Sequence, residues 1–258
     1  MLLLVFLMVE QTNRVSPALA IRDVAARLVP DENTVYHIAS PSKTFTAATT
    51  ALLVADRELS TLLDFLSHRT GLASKDALWQ QDGHELLLSE NDTIPRVPYL
   101  EVIHPLRRRW TYKNWGYEIL PTSSPMCLVF RGASSLWWRK FMTSRILEPL
   151  GMRGTTSALR PLGEHWARGF MPGPDGKLTD VGSPVIAEGT VQQGANGVKS
   201  TVRNLITYYK AVLAAWRLET GTVSLNGEPT SPLSEVKELL TPHIPLGPNS
   251  DSQWYGAG

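Results

Sequence analysis

The chain has 258 residues, a formal net charge of +1, 43% hydrophobic and 19% charged residues, and a single cysteine, Cys127. That length can bury a substantial core, and so balanced a charge leaves no electrostatic footprint for nucleic acid or an anionic membrane. One cysteine rules out an internal disulfide framework and a cysteine-built zinc cluster, so a reducing compartment is permitted.

In chain order, the opening run MLLLVFLMVE is too short to span a bilayer. No basic residue precedes it, as a signal peptide would require, although ALA at 18–20 has the form of a cleavage site. The expectation is a cytoplasmic protein with no transmembrane segment, secretion being left open, and with a buried strand or a disordered start over these residues. A weak strand is expected over 34–39. Next comes YHIASPSKTFTAATTALLVA (36–55), which predicts a helix over 41–55 with Ser40 as its N-cap and Pro41 at the first helical position. Residues 60–71 read as a helix ending at Gly71, with Leu59, Leu62, Leu63 and Leu66 on one stripe. Weak strands are expected at 99–103 and 125–130, and a helix at 135–151 broken by Pro149 and Gly151. Residues 168–197 and 220–232 read as Pro- and Gly-rich connectors. The clearest helix is 200–216, where Val202, Leu205, Ile206, Tyr209, Val212, Leu213 and Trp216 recur at helical spacing. A short capped helix is expected over 231–240.

Lys43 is the one formal charge between Glu32 and Asp56. It falls in the first turn of a helix, where the macrodipole opposes a cation, and among apolar and hydroxylic residues, where an ammonium is costly. Ser40 lies three residues earlier, so the hydroxyl and the ammonium share a helix face. Desolvation lowers a lysine pKa, and a neutral amine can take the proton of a neighbouring hydroxyl. The pair therefore reads as nucleophile and activator, with Lys43 expected to be the least exposed lysine; the bland alternative is a Ser-Pro helix cap. A second Ser-x-x-Lys, SEVK at 234–237, sits in a charged helix and reads as solvated surface. WTYKNWGYE (110–118) holds the one Tyr-x-Asn in the chain, Tyr112 and Asn114. A phenol beside an ammonium can be held as phenolate and act as base, and the amide can hold a substrate carbonyl or amide. An aromatic core turn is the competing reading.

No other chemistry competes. The six histidines are scattered without metal-ligand spacing, and no nucleophile elbow, P-loop or dinucleotide fingerprint occurs. No metal, no organic cofactor and no nucleic-acid partner is expected. RRR at 107–109 reads as a solvated turn.

Five collinear stretches resemble the serine beta-lactamase and penicillin-binding-protein family, with its related esterases. They are DENTVYHIASPSKTFTA, LLDFLSHRTGL, YKNWGYEIL, RILEPLGMRGT and GANGVKSTVRNLITYY, together covering roughly 34–213. The similarity is greatest to the class C-like branch, which includes fungal transesterases. It implies an α+β fold, a helical lobe packed on an antiparallel sheet that here is depleted, over a single domain 1–258. It implies Ser40 as acylated nucleophile, Lys43 and Tyr112 as the proton-relay pair, and Asn114 as a substrate-amide contact. Acyl transfer to or from a small-molecule ester or amide follows, the alternative being a non-catalytic remnant that binds a ligand or partner. The sequence departs from the family by containing no Lys-Ser/Thr-Gly and no His-x-Gly, the third motif that supplies an oxyanion donor. The closing WYGAG resembles the start of the family's C-terminal strands, so an incomplete sheet is expected.

Overall fold

The computed structural model describes residues 22–57, 62–76, 86–123, 136–159, 165–182, 185–222, 231–247 and 253–258. The expectations for the N-terminal run and for a strand at 125–130 lie outside these residues.

The fold is built around helix α1, Ser42–Ala55, of whose 14 residues eleven are buried. A helix enclosed on nearly every side must satisfy its own hydroxyls, and this one does. Thr49 and Thr50 donate to the carbonyls of Phe45 and Thr46 one turn back (2.8 and 2.9 Å). The Ser42 hydroxyl accepts from the Val198 amide at 3.0 Å, and Thr46 donates to the Gly194 carbonyl at 2.7 Å. With the hydroxyls paired, Phe45, Ala48, Leu52 and Leu53 are free to build the main core.

Three helices close on that core. Helix α5, Leu136–Met142, contributes Trp137, Trp138 and Met142 and runs on into a π-helical turn, Thr143–Leu147, which adds Ile146 and Leu147. Helix α7, Val202–Glu219, is capped by Thr201, whose side chain accepts from the Asn204 amide at 3.1 Å. It buries Asn204, Tyr208, Ala211 and Ala215, a line of small and polar residues, while Leu205, Tyr209, Val212 and Trp216 flank it half-buried. The apolar stripe read from the sequence is thus rotated: Val202 is exposed, because close approach of the helix to the core is set by the alanines. Helix α8, Val236–Leu240, has no side-chain cap of its own, and the Glu219 carboxylate accepts from the amides of Val236 and Lys237 (3.1 and 2.6 Å).

Between these lie short helices: α2 (Leu63–Leu66), α3 (Thr93–Arg96), α4 (Ile119–Ser123) and α6 (Gln193–Asn196). The helix expected over 60–71 shortens to α2, since the chain swings into the left-handed region at His68 (φ +58°). The strand expected over 99–103 is replaced by a 3₁₀ turn at Val97–Tyr99, where Pro98 lacks an amide donor. A single bridge, Leu72 to Val102, survives there.

Sheet is sparse. Among the described residues it consists of three two-stranded antiparallel pairings: β1 (Tyr36–His37) with β4 (Lys199–Ser200), β2 (Gly169–Pro172) with β3 (Leu178–Gly182), and β5 (Ile244–Pro245) with β6 (Trp254–Tyr255). The β2–β3 hairpin occupies part of the presumed connector 168–197. Its β3 residues are all exposed, so no alternating apolar pattern advertised it. This is the expected α+β architecture, a helical lobe with little sheet.

Gly71 holds φ +79°, and a Cβ there would lie 2.1 Å from the His104 carbonyl oxygen. Gly71→Ala is expected to cost about 2–4 kcal/mol, overpacking and the left-handed backbone together, read as a lowered urea midpoint.

Candidate active site

The α1 helix begins at Ser42, one residue later than the sequence suggests. Pro41 occupies the N-cap position with helical dihedrals, and no side chain caps the helix. A tight turn precedes it, with Ala39 at φ +49° and the Ser42 and Lys43 amides donating to the carbonyls of Ala39 and Ser40. Ser40 is therefore released from capping. Its side chain is exposed, and its Oγ lies 2.7 Å from the Tyr112 hydroxyl and 3.4 Å from Asn196 Oδ1.

Lys43 points from the first turn of α1 into the same place, 2% exposed. Its Nζ donates to Asn114 Oδ1 at 2.6 Å, to the Ala195 carbonyl at 3.2 Å and to Ser40 Oγ at 3.3 Å. It also lies over the Tyr112 and Tyr117 rings, 4.8 and 5.4 Å from their centroids. Ser40, Lys43, Tyr112 and Asn114, up to 74 residues apart in sequence (114 − 40), thus converge on one ammonium. Lys43 is not, however, the least exposed lysine. Lys113 is 0% and Lys199 1% exposed, each with its ammonium on buried oxygens: Thr70 Oγ1 for Lys113, the carbonyls of Ala158 and Ile186 for Lys199. Aliphatic stems of that length bury readily where such acceptors are at hand.

Burial pulls the Lys43 pKa down to about 7, further than the values near 8 for Lys113 and Lys199, while Asp76 opposes the drop. At neutral pH a large share of Lys43 is free amine. Burial also raises the pKa of Tyr112, although its hydrogen bond to Ser40 acts the other way. Burial thus favours a neutral resting phenol over the phenolate that a neighbouring ammonium could hold. His68, wholly buried against the rings of Tyr112, Tyr117 and Tyr255, is driven to about 3 by burial and by Lys43 and Lys113, so it stays neutral.

Three contributors escaped the sequence reading. Asp76 accepts from the Asn114 amide (3.2 Å) and from Asn114 Nδ2 (3.0 Å). Asn196 meets Ser40 and donates to Gln192 Oε1 at 3.0 Å. Helix α6 supplies Ala195 O, and it is fixed from below by Glu118, whose buried carboxylate accepts from Gln193 Nε2 and the Gly194 amide (3.0 and 3.1 Å). None stands at a recognisable spacing from Ser40, so sequence alone held no signal for them. Among the described residues no cluster of three or more histidine, cysteine, aspartate or glutamate side chains could hold a metal ion. Nor is any described helix long and apolar enough to cross a membrane.

The fold is that of the beta-lactamases and transpeptidases. The Beta-lactamase family model matches residues 5–258, and the chain belongs to that family. Among solved structures it is similar to a penicillin-binding protein from Bacillus halodurans, at 22% identity and a TM-score of 0.68 over 93% of this chain and 73% of that one. It is similar to an octameric penicillin-binding protein homologue from Pyrococcus abyssi, at 22% identity and a TM-score of 0.64 over 93% and 55%. A D-amino acid amidase from Ochrobactrum anthropi SV3, solved with D-phenylalanine, follows at 20% identity and 0.53 over 75% and 61%. The chain thus spans between about half and three quarters of these relatives' lengths. No curated protein sequence matches it.

A buried lysine with a lowered pKa costs stability while it must be charged. The unfolded chain binds the extra proton between pH 7 and the ordinary lysine value, so this penalty is full below pH 7 and fades as pH rises toward 10. Lys43→Met is expected to be more stable than the native protein at pH 6 by about 1–2 kcal/mol, a net figure after the acceptors it orphans. The gap should close or reverse by pH 10 in denaturant titrations across that range.

Proposed function

We propose that the protein is a serine acyl-transfer enzyme acting on an ester or amide through an acyl-enzyme on Ser40. The observation that carries this is the coordination of Lys43 Nζ. A neutral amine has two N–H groups and one lone pair. Asn114 Oδ1 and Ala195 O can only accept, so they take the two N–H groups, and the lone pair is left for the Ser40 hydroxyl.

The steps follow from that arrangement. Ser40 Oγ attacks the substrate carbonyl as its proton passes to Lys43. The Tyr112 hydroxyl, 2.7 Å from Ser40, donates its proton to the departing alcohol or amine and regains one from the Lys43 ammonium. Water or a second alcohol then takes the acyl group by the reverse path, giving hydrolysis or transesterification. The class C-like, esterase or transesterase reading rests on the similarity of the five motif stretches. The amidase fold among the structural neighbours adds D-amino acid amides to the substrates worth trying. One oxyanion donor is the Ser40 amide. The third motif that would supply a second is absent from the sequence, and a missing donor costs ~10²–10³ in rate. Slow acylation and negligible beta-lactam turnover are therefore the behaviour expected of these 258 residues taken alone.

A fluorophosphonate probe with intact-mass detection tests the reading. Ser40 should be labelled slowly at pH 8 and not at all in Ser40→Ala. Labelling should slow about fivefold between pH 7 and pH 6 as Lys43 charges, and about 10²-fold or more in Lys43→Met. Failure of the native chain to label at any pH would overturn the enzymatic reading in favour of a ligand-binding remnant.

A further inference from the structure

We propose that Asp76 is a positioning residue that keys the Asn114 amide, so that its oxygen faces Lys43 and the amine's lone pair stays free for Ser40. The inference rests on the reading of Lys43 as the base.

Both Asp76 oxygens receive donors: Asn114 N–H reaches Oδ1 at 3.2 Å and Asn114 Nδ2–H reaches Oδ2 at 3.0 Å. Two donors converging on two oxygens suit an ionised, acceptor-only carboxylate, and these hydrogen bonds, together with Lys43, work against the burial that raises the Asp76 pKa. With its nitrogen claimed, the Asn114 amide must present Oδ1 on the other side, where Lys43 Nζ donates at 2.6 Å. The consequence appears only when Lys43 loses its proton. A charged ammonium orients the amide by itself. A neutral amine does not, because a reversed amide could donate Nδ2–H into the amine's lone pair and occupy the orbital Ser40 needs. Asp76 forbids the reversal in the protonation state that does chemistry.

Asp76 also accepts from the Ser74 side chain, and its charge acts on Tyr112 and Lys113 as well as on Lys43. Lys43 faces Ser40 from the turn before α1, Tyr112, Asn114 and Tyr117 from the 110–118 segment, and the Ala195 carbonyl from α6. Two further titratable groups act on this neighbourhood, His68, which is neutral, and Lys113, whose ammonium rests on Thr70. Asp76 is the anion that opposes the discharge of Lys43, and half-burial keeps solvent from screening it fully.

The test is the titration of Lys43 in the full chain, followed by NMR of ¹³C-labelled lysine ε-methylenes, with the resonance assigned by its loss in Lys43→Arg. The native inflection should fall near 7. In Asp76→Asn it should drop by about one pH unit, and Asp76→Glu should return it toward the native value. If Asp76→Asn does not fold, Asp76→Ser removes the same charge and keeps a small acceptor. Fluorophosphonate labelling of Ser40 should move its acid limb with the Lys43 inflection. An unmoved inflection in a folded charge-removing variant overturns the proposal, and so does a moved inflection with an unmoved labelling limb. A native chain that does not label at all sinks the acyl-transfer reading, while the inflection still decides whether Asp76 controls Lys43.

Discussion

One ammonium, buried in the first turn of an enclosed helix, organises the surroundings of α1. Lys43 has lost almost all its water, and each hydrogen bond it gave up is replaced by a protein oxygen drawn from a different part of the chain: Ser40, Asn114 and Ala195. A buried charge is tolerated only where such partners converge, so the turn before α1, the Tyr112–Asn114 segment and α6 have to meet at that point. The packing that brings them there is the core of Phe45, Leu52 and Leu53 against α5 and α7. The site and the core are two faces of the same helix.

The supporting network is polar and layered outward. Asp76 steadies Asn114, Glu118 and Gln193 steady α6, and Thr46 ties α1 to Gly194. Burial raises the Glu118 pKa to about 8 despite two donors. Gly194 beside it is confined by close backbone approach: a Cβ there would lie 2.3 Å from the Tyr117 carbonyl oxygen. A rigid α6 keeps the Ala195 carbonyl where Lys43 needs an acceptor, and it keeps Asn196 beside Ser40.

Beside the site, β5 and β6 pair, and Tyr255 of β6 lies against His68 and Trp110. Together with Tyr112 these rings form an aromatic wall next to the nucleophile. Such a wall lowers the local polarity and helps explain both the discharged lysine and the neutral His68 and Tyr112.

The sequence by itself determined the chemistry of individual residues. A lone lysine in a helix start with a serine three positions earlier, and one Tyr-x-Asn, were legible because helical periodicity and composition are local properties. So were the existence of α1, α5 and α7, whose apolar content exceeds what a surface helix needs. The tertiary structure decided the rest. Whether Ser40 capped its helix or faced Tyr112 depended on the positive φ at Ala39 and on a partner 72 residues away (112 − 40). The rotation of α7 depended on which residues its neighbours left room for. Asp76 had no signal at all, and Asn196, though inside the GANGVKST stretch, had none for its contact with Ser40, since a carboxylate or an amide gains its role only from what lies across the fold from it. The hairpin at 169–182 was invisible because β3 is exposed throughout and β2 buries only its first two residues in part, so neither strand carries an apolar alternation, and the backbone pairing that holds them is not recorded in side-chain pattern.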